Sequence, residues 1–196
     1  MKASDDLPRS GHLLREEAVR MLMRSSIVAE LDAHDARLVI DAMQPVRVPA
    51  GTVLMREGQR DDTDYMALLL EGQVRAESAA LLPGEEVVIS IIGPGQLMGE
   101  MGLLDGAPRS ATCTALTEVK MATLSRTALR GLVEVNPAVA SRLLLGLAQA
   151  MADRVRSTNR RLRTLSQVAR ALQRELDATH AVNRRLLGQD TDMGTA

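Results

Sequence analysis

One stretch of this chain combines residue types suited to holding a small anion: Gly99-Glu100-Met101-Gly102-Leu103-Leu104-Asp105-Gly106-Ala107-Pro108-Arg109-Ser110-Ala111-Thr112. It opens on Gly-Glu, passes through a short helical turn, and leaves through Pro-Arg-Ser into a strand. Arg109 offers a forked set of donors that matches the oxygens of a phosphodiester. Amides at the start of the turn, with the amide and hydroxyl of Ser110, supply further donors. An anion in an otherwise apolar fold needs all of these, because burying its charge is costly unless it is paired and hydrogen-bonded. Glu100 repels a phosphate, yet it can accept from a sugar hydroxyl on the other side of the same ligand. On the residues alone a second reading stays open, in which Glu100 and Arg109 pair with each other and the glycines only turn the chain.

Other chemistries find less material. His12, His34 and His180 are far apart and beside no cysteine pair, so no metal site is expected. Asp61, Asp62 and Asp64 lack calcium-loop spacing and read as a solvated turn. No nucleophile-and-base arrangement stands out, so the chain is not expected to be an enzyme. The single cysteine, Cys113, excludes an internal disulfide, and no apolar run is long enough to span a bilayer or act as a secretory signal, which points to a cytoplasmic protein. A net charge of -1 sets up no chain-wide field toward nucleic acid or membrane. With Phe 0, Trp 0 and only Tyr65, the core must be filled by Leu, Val, Ile, Ala and 11 Met, and only Tyr65 could stack on a bound base.

The elements that must position Arg109 fall into three stretches. Residues 1–26 read as a polar tail and a helix, with Leu13, Leu14, Ala18, Met21 and Leu22 at helical spacing. A second helix starts near Asp32, with Asp35 three residues on. Pro45 and Pro49 end helical structure. Residues 27–135 then carry short β-rich runs, among them Val46–Val48, Thr52–Leu54, Tyr65–Leu70, Gln73–Arg75, Glu86–Ile91, Ala111–Ala115 and Val119–Thr123. Turns at Gly51, Gly58, Gly72, Pro83-Gly84, Gly93-Pro94-Gly95 and Gly106 separate them, as in a barrel, roll or sandwich. Ser125 caps a short helix.

Residues 136–188 read as one long helix, with Asn136 and Pro137 at its start and no glycine between Gly146 and Gly188. Such a rod is roughly 75 Å long at 1.5 Å per residue and cannot bury itself. Val155, Leu162, Ala169, Leu176 and Asn183 take heptad position a, and Met151, Thr158, Leu165, Leu172, Thr179 and Leu186 take position d. A lone Asn at position a commonly sets register, and Glu175 faces His180 of a parallel partner, so a parallel homodimer is expected. The rod also carries Arg154, Arg156, Arg160, Arg161, Arg163, Arg170, Arg174, Arg184 and Arg185, either a solvated coiled-coil face or a phosphate footprint. Residues 189–196 read as a disordered tail.

The anion-holding segment resembles the phosphate-binding cassette of cyclic-nucleotide-binding domains, the family of the catabolite gene activator, the regulatory subunits of cyclic-AMP-dependent kinase and cyclic-nucleotide-gated channels. Ala50–Gln59, Tyr65–Val74 and Ile92–Glu100 are similar to the family's strand and turn signatures, in order, and the resemblance covers about Ile27 to Arg163. It implies a mainly β fold, a β-roll of the jelly-roll type flanked by helices and followed by a long dimerisation helix. It implies a binding set of Gly99, Glu100, Met101, Arg109, Ser110 and Ala111, with Glu100 on the ribose hydroxyl and Arg109 and Ser110 on the cyclic phosphate. Met98 stands where the family often carries an aromatic. The resemblance continues into the long helix, where Thr158 and Asn159 match a pair that reads the base edge and Arg154 matches an arginine near Glu100. Thr158 is also, independently, a polar interruption at position d.

The expected ligand is cyclic AMP or cyclic GMP, with no metal. The heptad pattern runs on where a transcription factor of this family would place a helix-turn-helix, so sequence-specific DNA binding is not expected. A receptor that signals through its coiled coil to a downstream protein partner is the leading expectation, with no membrane attachment. The alternatives are a dimeric scaffold with a degenerate or differently occupied pocket, and nucleic-acid attachment through the arginine-rich helix.

Overall fold

The structure is a computed structural model that describes residues 7–24, 31–79 and 86–190. The turn expected at Pro83-Gly84, the boundary between residues 26 and 27, and the expected tail beyond residue 190 lie outside the described residues. The chain divides into two compact units, residues 1–150 and 151–196.

The first unit begins with helices α1 (Leu7–Arg24) and α2 (Ala33–Asp41). Asp32 caps α2 as its sequence implies, its carboxylate accepting from the Asp35 amide at 2.8 Å. Eight strands follow: β1 (Gln44–Val48), β2 (Val53–Met55), β3 (Tyr65–Glu71), β4 (Val74–Ala79), β5 (Glu86–Ile92), β6 (Leu97–Met98), β7 (Thr112–Ala115) and β8 (Val119–Ser125). Between β6 and β7 lies the short helix α3 (Glu100–Asp105), and after β8 come α4 (Arg126–Val135) and α5 (Pro137–Asp190). Ser125 caps α4 by accepting from the Ala128 amide.

The strands form two antiparallel four-stranded sheets, ordered β1-β8-β3-β6 and β2-β7-β4-β5, the β-roll that the family resemblance implies and one of the architectures that the turn spacing allows. Strand β3 shows why its sequence, Tyr-Met-Ala-Leu-Leu-Leu-Glu, does not alternate in polarity. Met66, Leu68 and Leu70 join a core cluster with residues of α1, α2, α4 and the first turns of α5, while Ala67 and Leu69 join a second cluster with residues of the other sheet. Both faces are covered, so both must be apolar. The second cluster includes Met55, Met98 and Met121, flexible thioethers in a core without Phe or Trp. Strand β6 is only two residues long and carries no periodic signal of its own.

Within the second unit α5 is exposed almost throughout. Val155, Leu162, Leu165, Leu172 and Leu176 are 50–64% exposed, and all five occupy a or d heptad positions. Helix propensity alone seldom holds an apolar stripe in water; most helical stability in proteins comes from packing such a stripe away.

Candidate functional site

The segment between β6 and β7 is anchored at both ends before its side chains do anything. The Arg109 amide donates to the Gln59 carbonyl at 3.0 Å, and the Gly58 amide donates to the Arg109 carbonyl at 2.8 Å, tying the segment to the β2–β3 loop. At the start of α3, Gly99 has φ 77°, and a side chain there would bring its Cβ within 2.6 Å of both Arg109 Nη1 and Met55 Cε. Glycine is required both for the conformation and for the close approach. Arg126 closes the other end of α3, donating from Nε to the Leu103 carbonyl at 2.9 Å and from Nη2 to the Gly102 carbonyl at 2.6 Å.

Inside this frame Arg109 is only 4% exposed. Nη1 donates to the carbonyls of Tyr65 and Gly99, each at 3.0 Å, and Nη2 donates to the Asp62 carbonyl at 3.2 Å. The guanidinium lies over the Tyr65 ring, 4.5 Å from its centroid, and the Tyr65 hydroxyl is fixed by donating to the Leu54 carbonyl at 3.0 Å. Three of the five N–H bonds of the group are therefore used, and the buried Nε has no partner. Burial pushes the Arg109 pKa down, partly opposed by Tyr65, Cys113, Asp64 and Glu100. An arginine stays charged through such a shift. Burial likewise pushes the Tyr65 hydroxyl up, with the Arg109 charge pulling it partly back.

Arg109 thus directs its hydrogen bonds to main-chain carbonyls and not to Glu100. Among the described residues, the other buried arginine Nε atoms without a hydrogen bond, those of Arg75 and Arg142, each lie 2.7 Å from a carboxylate oxygen, of Glu77 and Asp35 respectively. Among the described residues Arg109 has no carboxylate at that range. Its Nε–H and one Nη2–H remain, the donor fork that two oxygens of a phosphodiester fit.

Glu100 is buried in the first turn of α3, whereas Met101 and Ser110 are exposed, with Ser110 Oγ 3.9 Å from Met101 Sδ. Ala111 is partly buried where β7 begins. Gly99, Glu100, Met101, Arg109, Ser110 and Ala111 thus lie along one anchored segment of the first unit. Arg154, Thr158 and Asn159 lie on α5 in the second unit, all exposed.

The sequence gives no notice of the supporting parts. Asp62 belongs to the acidic turn, but its backbone is left-handed, with φ 51°, and it is the carbonyl that serves Arg109. Aspartate tolerates that region better than most residues, which is the only available signal. Gly102 is a second hidden element: a Cβ there would sit 2.7 Å from the Thr63 carbonyl and 3.1 Å from Arg109 Nη1. Among the described residues no group of three or more His, Cys, Asp or Glu could hold a metal ion, and no helix is long and apolar enough to cross a membrane.

Comparison with known proteins agrees with this fold. The family model for the cyclic nucleotide-binding domain matches residues 45–136. A CRP-like cAMP-activated global transcriptional regulator of Mycobacterium tuberculosis is 30% identical over 145 residues, which is 74% of this chain and 62% of that protein. This chain therefore spans less than two thirds of that relative's length. The crystal structure of a cyclic nucleotide-binding domain from Methylobacillus flagellatus superposes with a TM-score of 0.66 at 30% identity, covering 75% of this chain and 81% of that one. The N-terminal domain of a transcriptional regulator from Streptomyces coelicolor gives a TM-score of 0.61 at 35% identity, over 71% and 92% of the two chains. The match to the family model and a β-roll shared with these proteins make this chain a member of the cyclic-nucleotide-binding domain family.

Proposed function

We propose that this chain is a cyclic AMP receptor that pairs in parallel with a second copy through α5 and passes its ligand state to a partner protein. The observation that carries the reading is the buried Arg109 with, among the described residues, no partner for its Nε and no carboxylate at ion-pair distance. A cyclic phosphate supplies the missing counter-charge. Its two exocyclic oxygens take the open fork, and Ser110 adds a hydroxyl at the rim. Glu100 accepts from the ribose hydroxyl, keeping its charge away from the phosphate. Gly99 and Met101 shape the turn around the sugar, and Ala111 leaves room beside the phosphate. Cyclic AMP is favoured over cyclic GMP because the Mycobacterium relative is described as cAMP-activated.

The exposed heptad leucines of α5 support the pairing. Ligand can bias the helices only through a difference in affinity between two arrangements of the pair. Calorimetry with cyclic AMP and cyclic GMP tests the receptor, and sedimentation tests the dimer. Cyclic AMP is expected to release heat and raise the melting temperature. Silence toward both nucleotides at millimolar concentration would end the receptor reading.

A further inference from the structure

Between residues 154 and 174 the chain holds seven arginines and no acid, although its overall charge is -1. Five of the seven, Arg156, Arg160, Arg163, Arg170 and Arg174, follow one another at four- and three-residue steps, with Gln167 filling the remaining place. Those are the b and f heptad positions, on the face turned away from the apolar seam at Val155, Leu162, Leu165 and Leu172. All five are exposed. Arg156 is paired with Asp153, at 2.7 Å. Arg160, Arg163, Arg170 and Arg174 have no carboxylate partner among the described residues. Like charges at this spacing destabilise a helix, and a solvated coiled-coil face ordinarily intersperses acids to avoid it.

We propose that this stripe binds the phosphate backbone of double-stranded DNA without regard to sequence. Guanidinium groups suit phosphate oxygens, and five of them from Arg156 to Arg174 present cationic charge along roughly 27 Å of helix. Duplex DNA is the favoured polyanion for two reasons. Binding of single strands relies on aromatic side chains that stack on bases, and the helix has none. Helices that lie in membrane surfaces rely on Trp, Phe or Leu facing lipid beside the basic face; here the leucines form the heptad seam on the opposite side, and Trp and Phe are absent. The inference stands apart from the nucleotide site, since none of the five arginines belongs to it.

Fluorescence anisotropy of the full chain with a labelled duplex of random sequence, over a series of salt concentrations, tests it. Neutralising about five phosphates predicts that log Kobs falls against log salt with a slope of about -4.5. The variant carrying Arg160→Gln, Arg163→Gln, Arg170→Gln and Arg174→Gln is expected to flatten that slope to about -1 and to leave the heat of cyclic AMP binding unchanged. The wild-type slope is decisive whether or not the variant retains its helix. No binding at low salt, or an affinity indifferent to salt, overturns the proposal. So does equal or tighter binding of a single-stranded oligonucleotide, of phosphatidylserine vesicles, or of polyglutamate at matched charge.

Discussion

Two of the arginines that bring a guanidinium against the interior of the first unit end in different surroundings. Where α2 meets α5, Arg142 reaches Asp35, with Nη2 3.0 Å from one carboxylate oxygen and Nε 2.7 Å from the other. Beneath α3, Arg109 meets three carbonyls and an aromatic ring, and among the described residues no carboxylate comes within ion-pair distance. The first arrangement is electrically complete: the anion is part of the fold, and the pair joins two helices. The second holds the cation in place by dipoles, which orient it without neutralising it. Arg142 carries its anion with it, whereas Arg109, on the function proposed above, leaves that place to a ligand. Removing each should therefore damage a different property.

The largest separation is expected from Arg109→Gln. It should weaken cyclic AMP by about 100- to 1,000-fold, the equivalent of roughly 3–4 kcal/mol for a lost charge-assisted pair, as read by calorimetry. Its melting temperature without ligand should change less than that of Asp35→Ala. The latter leaves Arg142 without its carboxylate and should cost about 2 kcal/mol in urea unfolding. That figure sits below the usual ~3–5 kcal/mol for a broken buried pair because the Arg142 side chain is 40% exposed, while Asp35 is 4%. Ligand affinity should be unaltered. A ligand defect in Asp35→Ala, or a collapse of the fold in Arg109→Gln, would erase the contrast between the two regions.

Gly102→Ala sharpens the comparison from the protein side. The added methyl presses on the Thr63 carbonyl and on Arg109 Nη1, so it should cost about 1–2 kcal/mol of stability and weaken cyclic AMP together, measured by denaturation and calorimetry. The equivalent crowding is absent at Gly131, where an added Cβ meets nothing within 4 Å; Gly131→Ala on α4 should leave binding untouched.

The smallest effect belongs to pH. Tyr65 is the chain's only tyrosine, so alkaline absorbance reports on this ring alone. Burial raises its folded pKa above the unfolded value of about 10. The folded state then holds the proton more tightly, so this contribution is fully present below about pH 10 and is lost as pH rises through the folded value. A tyrosinate signal appearing only above about pH 10, with stability declining over the same interval, is the expected result.

These two regions also show what the sequence could and could not reveal. The strand runs, the caps at Asp32 and Ser125 and the long helix α5 were legible because each rests on side-chain type at a local spacing. The forked donor at Arg109 was legible as chemistry for the same reason. Its cradle was not: the carbonyls of Asp62, Tyr65 and Gly99 belong to the main chain, and any residue could supply them. The Arg142–Asp35 pair escaped as well, since 107 residues separate its members and surface charges of either sign look alike in sequence. Strand β6 was too short to show a period.

The central claim is that the Arg109 Nε–H waits for an anion. Nitrogen–proton correlation spectra of the arginine Nε–H groups observe that bond itself, with Arg109→Lys identifying the signal by its disappearance. Adding cyclic AMP should move that one resonance strongly downfield, and uncharged adenosine should leave it in place. If cyclic AMP binds while the Arg109 resonance stays where it was, the phosphate is held elsewhere and this account of the site is wrong.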